Sequence, residues 1–234
     1  MEISKRLLTF ETDKLPAISA VAGHVGAVTG SQYIAGLWRD NLIRDMCWER
    51  HMFESVKWQA TRAWRAPTFS WTSVAGNVFY NDNSIAAKGF YVIQATDASS
   101  TKQSTPVYSQ VIDGWVDIEG PLLEATLETH PPYDGSDLFK VREIDQVEIK
   151  PPVKVWVMIA GHWWEYTNKY PDGQRWVTNM ILGRSERVTG AYERLGYKDQ
   201  PWPPWDTDHV PEEDFEKIDP HVFGDGEKTR FRIV

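Results

Sequence analysis

Apolar residues recur at two spacings along this chain, and the change falls between Trp58 and Tyr80. Before that stretch the spacing is helical. Leu15, Ile18, Ala22 and Val25 share one face of a first helix, with Thr12 or Asp13 as its N-cap and Pro16 in its first turn, where a missing N–H is harmless. The glycines predict its end near Gly23 to Gly26. After the loop GAVTGSQ, the positions Ile34, Leu37, Trp38, Leu42 and Met46 follow the i, i+3, i+4 rule and predict a second helix, with Arg39, Asp40, Arg44, Asp45, Glu49 and Arg50 on its polar face.

Beyond Ala66-Pro67, which sets a corner, the apolar residues alternate or come in short runs bounded by Gly, Pro, Asn and Asp. Thr68 to Thr72 reads as a strand with Phe69 and Trp71 on one face. Further strands are predicted at 78–80, 89–93, 107–112 and 114–118, the last two joined at Asp113-Gly114 as a hairpin. Others follow at 120–127, 153–160, 176–182 and 190–197, with 229–234 as a closing edge strand. Residues 129–139 read as a loop, and 199–227 as a Pro-rich acidic tail. The fold class expected is α+β: N-terminal helices, over about 1–57, packed on a strongly curved antiparallel β-sheet or barrel built from about 64–234. No low-complexity linker divides the chain, so one domain over 1–234 is expected.

Composition narrows the partners. A net charge of −8 and 25 scattered basic residues argue against nucleic acid. No apolar run is long enough to span a bilayer and no signal peptide opens the chain, so no membrane partner and a cytoplasmic location are expected. A single cysteine, Cys47, permits no internal disulfide, and its apolar setting predicts a buried, inert thiol. The 12 tryptophans must each fill space in a core or a site.

Most catalytic chemistries lack their residues here. His162 and Glu165 lie three apart, with no third ligand at a telling distance, so no metal is expected. The Gly-x-Ser-x-Gly elbow, the Gly-x-Gly-x-x-Gly fingerprint and the Walker loop are absent, so no cofactor is expected. What remains is shape: a cavity walled by Trp38, Trp64, Phe69, Trp71 and Tyr80, holding an apolar small molecule, with Arg39 or Arg65 donating to a substrate carbonyl. The competing reading makes the aromatics core and the arginines surface partners of Asp40 or Asp45.

Four segments, LTFETDKLPAISAVAG, YIAGLWRDNLIRDMCWER, RAPTFSWTSVAGNVFY and GAYERLGY, resemble in order and spacing the C-terminal half of fungal heterokaryon-incompatibility (HET) domain proteins. The chain departs from that pattern at Ala20, Phe69 and Thr72, and it lacks the Ser-Tyr-x-Trp-Gly and Leu-Trp-Ile-Asp type motifs of the HET domain proper. The resemblance implies a module reused without that domain. One expectation is a cofactor-free cyclase of fungal secondary metabolism, a Diels–Alder-type pericyclase acting on an apolar polyketide or terpenoid. The alternative is a non-enzymatic interaction module of self/non-self recognition.

Overall fold

The computed structural model describes residues 10, 13–50, 64–74, 76–80, 90–102, 110–127, 153–167, 171, 173–202 and 227–234. The expected loop at 129–139 and nearly all of the acidic tail lie outside them, as do residues 107–109 and residue 89 of two predicted strands and the segment 81–88.

Helix α1 (Lys14–Thr29) buries Leu15, Ile18 and Ala22, as its periodicity predicts. It runs past Gly23 and Gly26, which weaken a helix without ending it, and stops where Gly30 turns left-handed (φ 71°) and returns its N–H to Gly26 O at 2.9 Å. Lys14 is 4% exposed, and its ammonium donates to Val74 O at 2.7 Å.

The predicted second helix is mostly something else. Strands β1 (Tyr33–Ile34) and β2 (Leu37–Trp38) form a hairpin with Ile34 opposite Leu37. Ala35 and Gly36 make its turn at φ 48° and 96°, the positive pair that a primed two-residue turn needs. A 3₁₀ turn (Arg39–Asn41) and the short helix α2 (Leu42–Met46) follow. The helical spacing of Ile34, Leu37 and Leu42 is therefore produced by cross-strand pairing followed by one helical turn. Strand β3 (Trp48–Arg50) then pairs antiparallel with β4 (Val78–Tyr80), so the N-terminal part is not the helical layer expected.

The predicted strand at 68–72 is a turn. Ser70 N–H donates to Pro67 O at 2.9 Å, and Ser70 Oγ accepts Thr72 N–H at 3.1 Å to open a 3₁₀ turn over Trp71–Ser73. Phe69 and Trp71 are both 0% exposed, so their burial is real although their alternation is not.

The main sheet contains β5 (Phe90–Tyr91), β6 (Gln94–Lys102), β7 (Val111–Gly120), β8 (Leu122–Leu127), β9 (Val153–Glu165), β10 (Gln174–Arg184), β11 (Tyr192–Trp202) and β12 (Thr229–Ile233). Its order is β5-β9-β10-β11-β12-β7-β6, with β8 beside β5 on the same edge of β9. All pairings are antiparallel except β11 with β12, a parallel contact at Tyr192 and Ile233. The predicted strands at 153–160 and 176–182 are present and longer, forming one hairpin in which Met158 faces Met180 and Trp163 faces Trp176.

Two predictions about this sheet fail for physical reasons. Asp113-Gly114 is no hairpin turn, because β7 runs straight through it. A Cβ on Gly114 would stand 2.7 Å from Pro67 Cγ, so the glycine serves close packing rather than a turn. Strand β12 is no edge: β7 flanks it with Arg232 opposite Asp117 and Arg230 opposite Glu119, and β11 lies on its other side.

No ladder joins β5 to β6 among the described residues, so the sheet is open and not a barrel. Its ends are nevertheless tethered. Val92 and Ile93 carry the chain from β5 to β6, and Pro121 carries it back from β7 to β8. The two crossings touch, for a Cβ on Gly120 would lie 2.3 Å from Ile93 Cγ2.

Candidate functional site

The residues expected to wall one cavity are dispersed. Trp71 is enclosed beneath the β1–β2 turn, its indole N–H donating to Gly36 O at 3.1 Å, and Phe69 is held where its carbonyl accepts the Trp48 indole N–H at 3.0 Å. These two are core. Trp38 is half-buried and meets Tyr33 edge-on at 4.9 Å. Trp64 is also half-buried, with the Arg187 guanidinium over its ring at 4.7 Å. Tyr80 donates its hydroxyl to Asp45 O at 3.1 Å, and burial, then the Asp45 charge, push its phenol above the ordinary range.

The two arginines also part company. Arg65 is half-buried beside Trp64 in the chain. Arg39 donates to Gln32 Oε1 at 3.2 Å, to Ala98 O at 3.0 Å and to Asp97 Oδ1 at 3.1 Å. Its carboxylate partner is thus Asp97 of β6, not Asp40 or Asp45. The Arg39 hydrogen bond holds the Asp97 carboxyl below its usual range.

Asp45 has another task. Its Oδ2 accepts the Trp38 N–H at 3.0 Å, fixing the exit of the hairpin, while burial raises its carboxyl to about 6 against the opposing effects of that bond and of Arg44. Below it lies a polar cluster that composition did not announce. Arg194, 1% exposed, stacks on Trp48 at 3.5 Å and donates to the carbonyls of Met46, at 3.2 Å, and Trp48. Asp199 accepts from Thr178 at 2.6 Å and from Tyr197 at 2.9 Å. Cys47 is buried among these groups, and burial, then the Asp199 charge, push its thiol far up, which leaves it inert as expected.

One described cavity, about 270 Å³, lies between residues 39–44 and 93–95, where the two ends of the sheet are tethered. Of the predicted site residues it includes Arg39 and none of the aromatics. Its buried floor is Leu42 and Ile93, 3% and 6% exposed. The sequence carried no signal for this pairing, since 39–44 read as part of one helix, with Leu42 on its apolar face and Arg39, Asp40 and Arg44 on its polar face.

Sequence reasoning also passed over the turn end of the β9–β10 hairpin. There Tyr166, 68% exposed, stacks with Trp164 at 6.3 Å, and the Arg175 guanidinium covers Trp164 at 4.5 Å. Gly173 (φ 89°) permits it, because a Cβ there would lie 2.8 Å from Tyr166 and 3.0 Å from Trp164. On the opposite face Trp163 and Trp176 stack at 5.6 Å. The signal was present as HWWEY followed by QRW, but it reads as a turn unless both strands are extended. His162 stands in this hairpin half-buried, and burial, then Arg175, lower its imidazole below the usual range. No group of three or more His, Cys, Asp or Glu able to hold a metal occurs among the described residues. No helix among them is long and apolar enough to cross a membrane.

In comparisons with known proteins, no family model, no curated protein and no solved structure matches this chain.

Proposed function

We propose that this chain is a non-enzymatic interaction module, related to the C-terminal half of heterokaryon-incompatibility proteins and acting in the cytoplasm. The architecture in this reading is a small N-terminal helix-and-hairpin layer on a strongly curved sheet. The observation that carries the reading is the Trp164–Tyr166–Arg175 cluster at the hairpin end. These are the residue types that dominate binding energy at protein interfaces, and here they are stacked into a fixed arrangement, so little side-chain entropy is lost on docking. The aromatics on which a reaction cavity would depend, Phe69 and Trp71, are instead sealed in the core.

The partner in this reading is a protein carrying a HET domain. Tagged chain mixed with such a purified protein should retain it, and the Trp164→Ala/Tyr166→Ala double variant, folded by circular dichroism, should release it. Equal retention by the double variant removes the hairpin end from the interface.

A cyclase reading keeps one specific observation in its favour, the cavity beside Arg39. An arginine held by three bonds can polarise a carbonyl without reorganising, an effect worth about 1.5–3 kcal/mol, or ten- to a hundredfold in rate. Incubation with a linear polyene precursor should then accelerate cyclisation and fix its stereochemistry. Unchanged rate and product ratio, or full turnover by Arg39→Ala, reject it.

A further inference from the structure

Beside Arg39, the rim of the cavity at the tethered end of the sheet carries two charges, Asp40 and Arg44, that neither reading uses. Arg39 has five N–H donors and spends three, on Gln32, Ala98 and Asp97, which leaves two; the guanidinium is held in place, and its unspent N–H groups belong to a residue of the cavity wall. Arg44 and Asp40 belong to the same wall and are both exposed. They are four apart, a spacing at which a continuous helix would pair them, but the 3₁₀ turn between Arg39 and Asn41 breaks that helix. Among the described residues neither the Asp40 carboxylate nor the Arg44 guanidinium makes a hydrogen bond or ion pair, and the Arg44 charge acts on Asp45 only at longer range. Between the charges the floor is apolar and fixed, since Leu42 is buried and Ile93 is pinned against Gly120.

We infer that this cavity binds a small apolar zwitterion, the chemistry of a free apolar α-amino acid. The ligand carboxylate lies on the Arg44 guanidinium and the spare donors of Arg39, the ammonium faces Asp40, and the aliphatic side chain covers Leu42 and Ile93. A plain carboxylate would meet the repulsion of Asp40, and a plain amine that of Arg44, so the pair of charges selects for the ligand that carries both. A cavity of about 270 Å³ accommodates such a molecule. The inference is independent of the interaction module, and an amino acid in this cavity would displace the substrate that the cyclase reading places there.

The test is calorimetric titration of the intact chain with L-leucine, 4-methylpentanoate, which lacks the ammonium, and 3-methylbutylamine, which lacks the carboxylate. L-leucine should bind with a Kd at or below about 1 mM, and each truncated analogue at least about tenfold more weakly. Arg44→Gln should weaken L-leucine by about tenfold or more, and Asp40→Asn should abolish the preference for L-leucine over 4-methylpentanoate, both without a change in Tm. Absence of binding at about 10 mM L-leucine, equal binding of all three compounds, or an undiminished Arg44→Gln variant overturns the assignment. None of these readouts involves a protein partner or turnover, so their failure leaves the module reading untouched.

Discussion

Asp45 is the residue whose ionisation the fold opposes most legibly. Its carboxyl is raised from 3.8 to about 6, so the folded state binds a proton more tightly than the unfolded chain does. The favourable contribution is therefore full below about pH 4 and is lost as pH rises through about 6. Asp45→Asn keeps an oxygen for the Trp38 N–H and removes the charge. It should stabilise the protein by about 1–2 kcal/mol at pH 7.5, after discounting for partial exposure, and flatten Tm between about pH 4 and 7. Melting curves across that range check it, and a lower Tm at pH 7.5 would show that the ionised form is the one the fold prefers. Arg194 contributes through hydrogen bonds to buried carbonyls. Arg194→Met leaves the carbonyls of Met46 and Trp48 without their buried donor and should cost about 3 kcal/mol, read as a shifted denaturation midpoint. At this scale the sequence told which aromatics were large and apolar but not which were core. Phe69 and Trp71 fitted either role, and the choice rests on where Gly36 O and the Trp48 indole stand, contacts spanning 35 and 21 positions.

Among the elements, long apolar strands such as β9 and β10 were legible because burial on both faces leaves a near-continuous run. Short elements were not. The hairpin at Tyr33–Trp38 imitates helical spacing, and only the left-handed Ala35-Gly36 pair distinguishes it. Gly36→Ala would add strain at φ 96° and a methyl 3.0 Å from the Trp71 indole nitrogen, a loss of about 1–3 kcal/mol that chemical denaturation would register. Gly114→Asn tests the corrected reading of β7 directly. If Asp113-Gly114 were a hairpin turn at the surface, asparagine, which tolerates the positive φ such a turn needs, would be nearly neutral. With Pro67 Cγ at 2.7 Å from the added Cβ, a loss of about 1–3 kcal/mol is expected, and a neutral outcome would restore the turn.

For the molecule as a whole, the mixture of helix and sheet was legible from the change in periodicity, whereas the strand order was not. Neighbours such as β7 and β12 are separated by more than a hundred residues, and their match is written in opposed charges, Arg232 to Asp117 at 2.6 Å and Arg230 to Glu119 at 2.9 Å, rather than in any local pattern. The cavity was illegible for the same reason, because it lies between segments about fifty positions apart.

Because β12 lies between β11 and β7, the order in which the chain leaves the ribosome matters. When residue 202 has been synthesised, β9, β10 and β11 can form one ribbon and β6 and β7 another, and among the described residues no ladder joins β11 to β7 directly. Residues 229–233 then close along β7 and join it to the start of β11, so a nascent chain holds the β7 edge exposed until they emerge, the condition in which unwanted strand pairing with neighbouring chains is most probable. A chain stopped at Lys228 should show rapid hydrogen exchange at the amides of Val116 and Ile118 with Met158 and Met180 still protected; uniform protection would mean that the sheet joins without its last strand.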